Sequence, residues 1–492
     1  MPRKLSLPLA MLIGGAACSS DAIAPTDALN RVAITNALVA PNPNNNLSAL
    51  VKLATRNADS AWITYRAVPD APQVNIGLET ASPVFPVRGD TATIPALALQ
   101  EKTPYSITVH VRGGRADTTA QLNFRAGPLP ADLASLRLAS TGTISPGFYL
   151  TDFTTPTSAY IVVFDESGRV CWYRQFATQP GEVAIDAEQE SNGSYILFVG
   201  VSTGWQPTPG RFFAVNPAGD SIQTYFAKAP YYTDPHELLL EYNGQTLTHY
   251  DILGYEFRHV DLTALGGLPN QLVAGHLILR QSPSGAIEFA WNAWDHFTIG
   301  DWIFVQPGLA QMPSIDFDHP NSLIRDSDGN YVVSFASLGE ITKIDASTGQ
   351  IIWRFGGRNN QFALIGDPLD GFGIQHHVRV LANGDLLFID NGAHHTPPES
   401  RAVEYKLDLN ARTATLVWQY RHTPALFSPF AGSAQRFANG NTLVAFGAAA
   451  QLAEVTAGGQ VMWEAQMQNA GVKVPFFYRA LRIDSPYGAA GH

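Results

Sequence analysis

DHPNSLIRDSDGNYVVSFASLGEITKIDASTGQIIWRFGG, residues 318–357, is one unit of a pattern that returns along most of the chain. A turn at Asp328-Gly329 runs into an apolar strand. A second strand, Ile341-Thr342-Lys343-Ile344-Asp345, leads through another turn to a strand carrying Trp353. Glycine supplies the positive φ that such a hairpin turn requires. The same order takes Ile161-Val162-Val163-Phe164-Asp165 to Trp172, and Phe213-Ala214-Val215-Asn216 to Tyr225. It recurs before Trp291, from Val403 to Trp418, and from Leu452 to Trp463. Matching glycine turns stand at Asn192-Gly193, Asn243-Gly244, Asn383-Gly384 and Asn439-Gly440. The period of roughly 45 to 65 residues fits a four-stranded propeller blade with loop insertions. The six aromatic landmarks predict an all-β chain with a six-bladed β-propeller. No segment of helical period dominates, which excludes α/β barrel and dinucleotide-fold readings.

Upstream, short alternating strands over Leu50–Thr55, Ala61–Ala67, Thr91–Ile94, Ser106–Arg112 and Ala120–Phe124 predict a small β-sandwich of fibronectin III or immunoglobulin type. The expected division is a signal peptide at 1–22, a tether at 23–46, the sandwich at 47–127 and the propeller at 135–492. Gly127-Pro128-Leu129-Pro130 marks the boundary between the last two. Arg3 and Lys4, the apolar run Leu5–Ile13 and the small residues Gly14–Ala17 before Cys18 read as an export signal. The expected location is therefore the periplasm or the outer surface. Two outcomes stand open at the exit: lipidation at Cys18, or cleavage near Ala17 or Ala22. Cys171, the other cysteine, lies in an alternating strand and is expected to pack as a small hydrophobe. A net charge of −11 over 492 residues argues against nucleic acid as a partner. Nothing in the sequence fixes an oligomeric state.

Propellers bind ligands where loops from several blades meet the central channel, so polar residues recurring at one phase of the repeat are candidates for a site. Three histidine motifs do so. His236 follows Asp234-Pro235, His319 follows Asp316-Phe317-Asp318, and His376-His377 follow Gln375, each just ahead of a glycine turn. A neutral imidazole is a competent nucleophile or base near pH 7. Three of them converging on an axis would also suit a divalent metal, giving a metal-dependent hydrolase or lyase. No closely spaced ligand motif supports that alternative. A non-catalytic ligand-binding propeller is the remaining one. His394, His395 and His296 are expected to be structural.

These motifs resemble those of the bacterial aryl-sulfate sulfotransferases. The likeness rests on Gln375-His376 with Asn383-Gly384 and Ile389-Asp390-Asn391-Gly392, on Asp318-His319-Pro320-Asn321-Ser322, on Trp353 with Phe355-Gly356-Gly357, and on Ser400–Tyr405. It covers most of the chain after about residue 135. The resemblance implies an N-terminal sandwich before a six-bladed propeller, and a sulfuryl group passed from a phenolic sulfate to an acceptor phenol through a histidine. It implies no cofactor and no metal. The nucleophile would be His376, with His319 and His236 in support and Asn321 and Gln375 at the substrate. The chain departs from the family at Ala336, where the family carries a sulfate-binding arginine in a Ser-Ser-Arg run. Arg379, or else Arg358 or Arg436, would have to supply that charge.

Overall fold

The computed structural model describes residues 31–68, 79–201, 210–470 and 475–488. The expected signal peptide and Cys18 lie outside them. Among the described residues the chain is all-β, with helix confined to five single 3₁₀ turns, and none of these is long and apolar enough to cross a membrane. The strands form eight sheets.

Two sheets belong to residues 33–125. One joins Ala33–Pro41, Ala49–Arg56 and Thr91–Ala96. The other is built on Ser60–Ala67, Pro104–Gly113 and Ala116–Arg125. Alternation along Ala49–Arg56 and Pro104–Gly113 turns Val51, Leu53, Ile107 and Val109 into a shared core with Ile63 and Ile94. The expected tether needs correction here. Residues 33–41 form a strand in register with Ala49–Arg56, from Ala33 opposite Arg56 to Pro41 opposite Ala49. It was hidden because Ile34, Leu38 and Val39 are set among small residues without the alternation of the later strands, as an edge strand allows. The Asn-rich stretch after it is a brace. Asn42 Nδ2 donates to Ala218 O (2.7 Å), and the Asn46 N–H donates to the Tyr173 hydroxyl (3.0 Å).

The other six sheets follow in chain order, each built on four antiparallel strands; the third and fifth add a short parallel strand, Ile315–Asp316 and Ala363–Ile365. Their first strands are Ala480–Ile483, Glu182–Gln189, Tyr232–Asn243, Pro320–Arg325, His376–Val380 and Ser433–Arg436. Each of these touches the first strand of the next sheet, and Ser433–Arg436 touches Ala480–Ile483, so the contacts close a cycle. The ends of the chain are exchanged at the closure. Ala480–Ile483 pairs with Phe148–Thr155 to complete the first sheet, while Arg137–Gly142 pairs with Val461–Gln468 on the outer edge of the sixth.

Sequence pattern follows position in the sheets. Middle strands such as Ser158–Phe164 and Tyr331–Phe335 are buried throughout, because both faces meet neighbouring sheets, and they read as unbroken apolar runs. Fourth strands such as Ile351–Gly356 are half-exposed and alternate. Trp172, Trp291, Trp353, Trp418 and Trp463 lie on fourth strands. Two of these indoles reach a turn of the following sheet, Trp172 Nε1 to Pro217 O (2.9 Å) and Trp291 Nε1 to Gly349 O (3.0 Å). Trp463 stacks on Tyr149 of the first sheet at 5.0 Å. The hairpin glycines 193, 244, 329, 384 and 440 all take positive φ, between 61° and 87°. Cys171 is buried and unpaired, and burial pushes its thiol pKa up, as core packing requires.

Candidate active site

The first strands of the second to fifth sheets share a defect. Their register slips between Ile185 and Glu188, Thr233 and Leu238, Pro320 and Ser322, and His376 and Arg379. Bulges re-aim side chains that a regular strand would bury between sheets. In the third, fourth and fifth sheets they accompany the histidine motifs at the start of the strand. His236 and His319 meet with ring centroids 4.7 Å apart. Tyr478, just ahead of Ala480–Ile483, stands between the remaining pair, 5.6 Å from His236 and 6.0 Å from His376.

His376 is buried, and its surroundings dictate its tautomer. Nδ1 faces two acceptors, Asn391 Oδ1 at 2.8 Å and Ile374 O at 3.0 Å. The Asn391 amide cannot turn round, since its Nδ2 donates to Ser428 O (2.7 Å) and Ala431 O (2.9 Å). Nδ1 therefore carries the proton and Nε2 the lone pair. Nε2 accepts the Ala431 N–H at 3.2 Å. Burial, reinforced by His319 and His236, pushes the His376 pKa down to about 3, so the ring is neutral at ordinary pH.

The other two histidines are each held by an aspartate. Asp234 Oδ1 accepts His236 Nδ1 and the His236 N–H, both at 2.9 Å. Asp316 accepts His319 Nδ1 together with the His319 N–H, the latter at 3.0 Å. Their protonation differs. Burial lowers the pKa of His236 despite Asp234. Burial also opposes charge on His319, but Asp316 outweighs it and raises the pKa. His319 keeps 27% of its side chain open to solvent against 7% for His236.

The remaining residues expected at the site are placed as braces. Asn321 Nδ2 donates to Gln375 O (2.6 Å), and Gln375 Nε2 donates to Ser334 Oγ, Phe335 O and Glu340 O. Arg379 requires correction. Its guanidinium is taken by Glu188 and Glu237, both at 3.1 Å, because the bulge after His376 turns it into a carboxylate cluster shared with Arg479. Arg436 is likewise paired, with Glu404. Ala336 is buried, and its N–H donates to His319 O at 2.9 Å.

His377 is buried with Nδ1 on the Ala434 N–H, His395 pairs with Asp390, and His296 stacks on Trp291. Sequence reasoning gave no role to Asn391, Tyr478 or His276. Asn391 stood within a quoted motif, and the aspartates two and three residues ahead of His236 and His319 were a usable signal. Nothing in the sequence pointed to Tyr478 or His276. Three groups of described residues bring His or carboxylate ligand atoms within 4.8 Å of one another: Asp390 with His394 and His395, His276 with Asp316 and Asp318, and Asp186 with Glu188 and Glu237. The trio of His236, His319 and His376 is not among them.

The family model described as Arylsulfotransferase (ASST) matches residues 213–468, which is 256 of the 492 residues and more than half of the chain. No curated protein matches the chain. Solved structures similar to it include a protein of unknown function from Bacteroides caccae, at 14% identity and TM-score 0.40, covering 69% of this chain and all of that one. A streptogramin B lyase matches at 13% identity and TM-score 0.37, covering 69% of this chain and 90% of its own. An inactive virginiamycin B lyase from Staphylococcus aureus with quinupristin matches at 12% identity and TM-score 0.36, covering 68% and 89%.

Proposed function

We propose, from the premise that the chain belongs to the arylsulfotransferase family, that it passes a sulfuryl group from an aryl sulfate to a phenol through His376. The observation that carries this reading is a buried, neutral His376 whose Nδ1–H is fixed by Asn391, with two aspartate-held histidines beside it. We take the six sheets of residues 137–483 as the blades of a propeller, and the two of residues 33–125 as a sandwich. The protein is exported in this reading, on the strength of the N-terminal signal pattern alone.

In the first half-reaction Nε2 attacks sulfur, the N–S bond forms and the S–O(aryl) bond breaks. His319, the more exposed and more readily protonated ring, gives its proton to the departing phenolate. Nε2 must leave the Ala431 N–H to attack, which frees that N–H to donate to a sulfuryl oxygen, as preorganised donors do at developing charge. In the second half-reaction neutral His319 takes the proton of the acceptor phenol, whose oxygen attacks sulfur as the N–S bond breaks. With Ala336 in place of the family arginine, the His319 imidazolium supplies the positive charge beside the bound sulfate ester before it gives up its proton.

The test is incubation of the purified protein with 4-nitrophenyl sulfate and phenol, with mass spectrometry of the peptide containing His376. Transfer and a sulfuryl adduct on His376 are expected, and both vanish in His376→Asn. No turnover across a panel of aryl sulfates, or full turnover in His376→Asn, overturns the proposal.

A further inference from the structure

His276 sits on the third strand of its sheet, Gln271–Gln281, two strands further out than His236 on the first. It is 1% exposed. Its Nδ1 lies 2.6 Å from Asp318 Oδ1 and 3.7 Å from Asp316 Oδ1, and its Nε2 lies 3.2 Å from Asp234 Oδ2. The Asp318 carboxylate also takes the His276 N–H at 3.1 Å. Both ring nitrogens therefore face carboxylate oxygens. A ring with a carboxylate oxygen 2.6 Å from one nitrogen and 3.2 Å from the other is held as an imidazolium, which has no lone pair for a metal.

The carboxylates that His276 touches are those that hold the other histidines. Asp234 orients His236 through Oδ1 and meets His276 through Oδ2. Asp316 holds His319 Nδ1, and Asp318 accepts the His319 N–H at 3.1 Å. We propose that His276 is a positioning residue, a buried cationic bridge that locks the Asp234–His236 and Asp316–His319 pairs into one unit. The idea rests on the sulfuryl-transfer reading for its catalytic consequence, though not for its geometry.

The surroundings explain why the bridge holds. Gly275 has no side chain, and a Cβ there would lie 2.0 Å from Trp294 Nε1, so the indole packs flat against this strand. Trp294 in turn stacks on Phe317 at 4.5 Å, between Asp316 and Asp318 in sequence. Tyr255, on the neighbouring strand, puts its ring 5.7 Å from His276. The titratable groups facing His276 are thus Asp234, Asp316, Asp318 and Tyr255, with His319 beyond Asp316. Three buried carboxylates without a central cation would leave large desolvation costs uncompensated. Burial alone would hold His276 neutral, yet Asp318 and Asp316 keep its pKa well above the ordinary value, in line with the geometry. The positive charge of His276 in turn lowers the pKa of His319.

The test compares the full chain with His276→Gln, which keeps a donor but loses the charge. Two readouts are used: kcat and KM for 4-nitrophenyl sulfate against pH, and ring ¹⁵N titration of the histidines by NMR. With the cation gone, the His319 titration and the alkaline limb of kcat move up by about one pH unit. On the same substitution kcat at pH 7 falls on the order of 10-fold, below the ~100-fold of removing a general acid outright, while KM changes little. A folded His276→Gln protein with unmoved ring titrations overturns the bridge, whatever its activity. If the native protein shows no turnover but the titrations move, the bridge stands and the sulfuryl-transfer reading fails. Should His276→Gln not fold, the native protein is the test: the ring ¹⁵N signals of His276 are expected to be those of an imidazolium at pH 8, and those of a neutral ring overturn the proposal.

Discussion

Between Ser428 O and Ala431 O the Asn391 amide has one orientation, and it presents an oxygen to His376. That contact sets the tautomer, and burial keeps the ring neutral. Replacing Asn391 with Asp puts a carboxylate where the amide oxygen was, which favours the imidazolium and raises the His376 pKa from about 3. The neutral nucleophile is then lost as pH falls through the new, higher value. In Asn391→Asp the acid limb of kcat/KM is expected to rise by about 1–3 pH units, with activity better retained at pH 8 than at pH 5. The native enzyme should show no acid limb from His376 above about pH 4. Its alkaline limb should lie above the ordinary histidine value, because His319 has a raised pKa and its acidic form is lost as pH climbs through it. A pH profile from 4 to 10 on one donor checks both limbs.

The elements that carry these residues are short strands interrupted by bulges and closed by tight loops. The loop from Asp390 to Arg401 carries Asn391, the partner of His376 Nδ1. Gly392, directly after Asn391, has φ of 67°, and a Cβ there would lie 1.8 Å from Glu399 O and 2.6 Å from the His395 ring. Gly392→Ala therefore combines left-handed strain with a backbone clash, and is expected to cost about 3 kcal/mol. Displacing Asn391 should also reduce turnover, because the His376 tautomer loses its anchor. Urea midpoints and single-turnover rates of the variant test both effects. A change that left stability and rate at native values would contradict the role given to this loop. Gly329, in open space with φ of 82°, offers a contrast: substitution there meets strain alone and should cost less, about 1 kcal/mol.

Across the whole molecule, the centre of the ring of sheets is held by charge. Arg479, fully buried, reaches Asp186 (2.5 Å) and Glu188 (2.6 Å) from the second sheet and Glu237 (2.7 Å) from the third. It also donates to His236 O and Asn321 O, so the chain's last strand is tied to three sheets at once. Removing one partner of a buried ion network leaves the others charged and dry. Arg479→Met is expected to destabilise the protein by about 3–5 kcal/mol, read from thermal or urea unfolding. The loss should be partly relieved at low pH, since the abandoned carboxylates can then take up protons. Glu237 follows that sign. Arg379 and Arg479 hold its pKa down against burial, so its stabilising contribution is present above the usual carboxylate range and lost as pH falls.

The repeat, the strand-rich N-terminal block and the three histidine motifs were legible from residues 318–357 outward. Hairpin turns, two-residue alternation and the fourth-strand aromatics are local properties of the chain, and the glycine turns adopt the positive φ their spacing demanded. The strand at Ala33–Pro41 was not legible, because its apolar residues, Ile34, Leu38 and Val39, do not alternate. Nor were the partners at the site. Asn391, Tyr478 and His276 lie 15, 102 and 100 residues from His376 in the chain. They act only because ring closure and bulged first strands bring them to one place. Local sequence specified which elements form and which side chains could react. Long-range packing specified which nitrogen of His376 holds the lone pair, that Arg379 turns to carboxylates, and that a third-strand histidine joins two aspartate–histidine pairs. Those outcomes depend on burial and on the sum of nearby charges, which no short stretch of chain encodes.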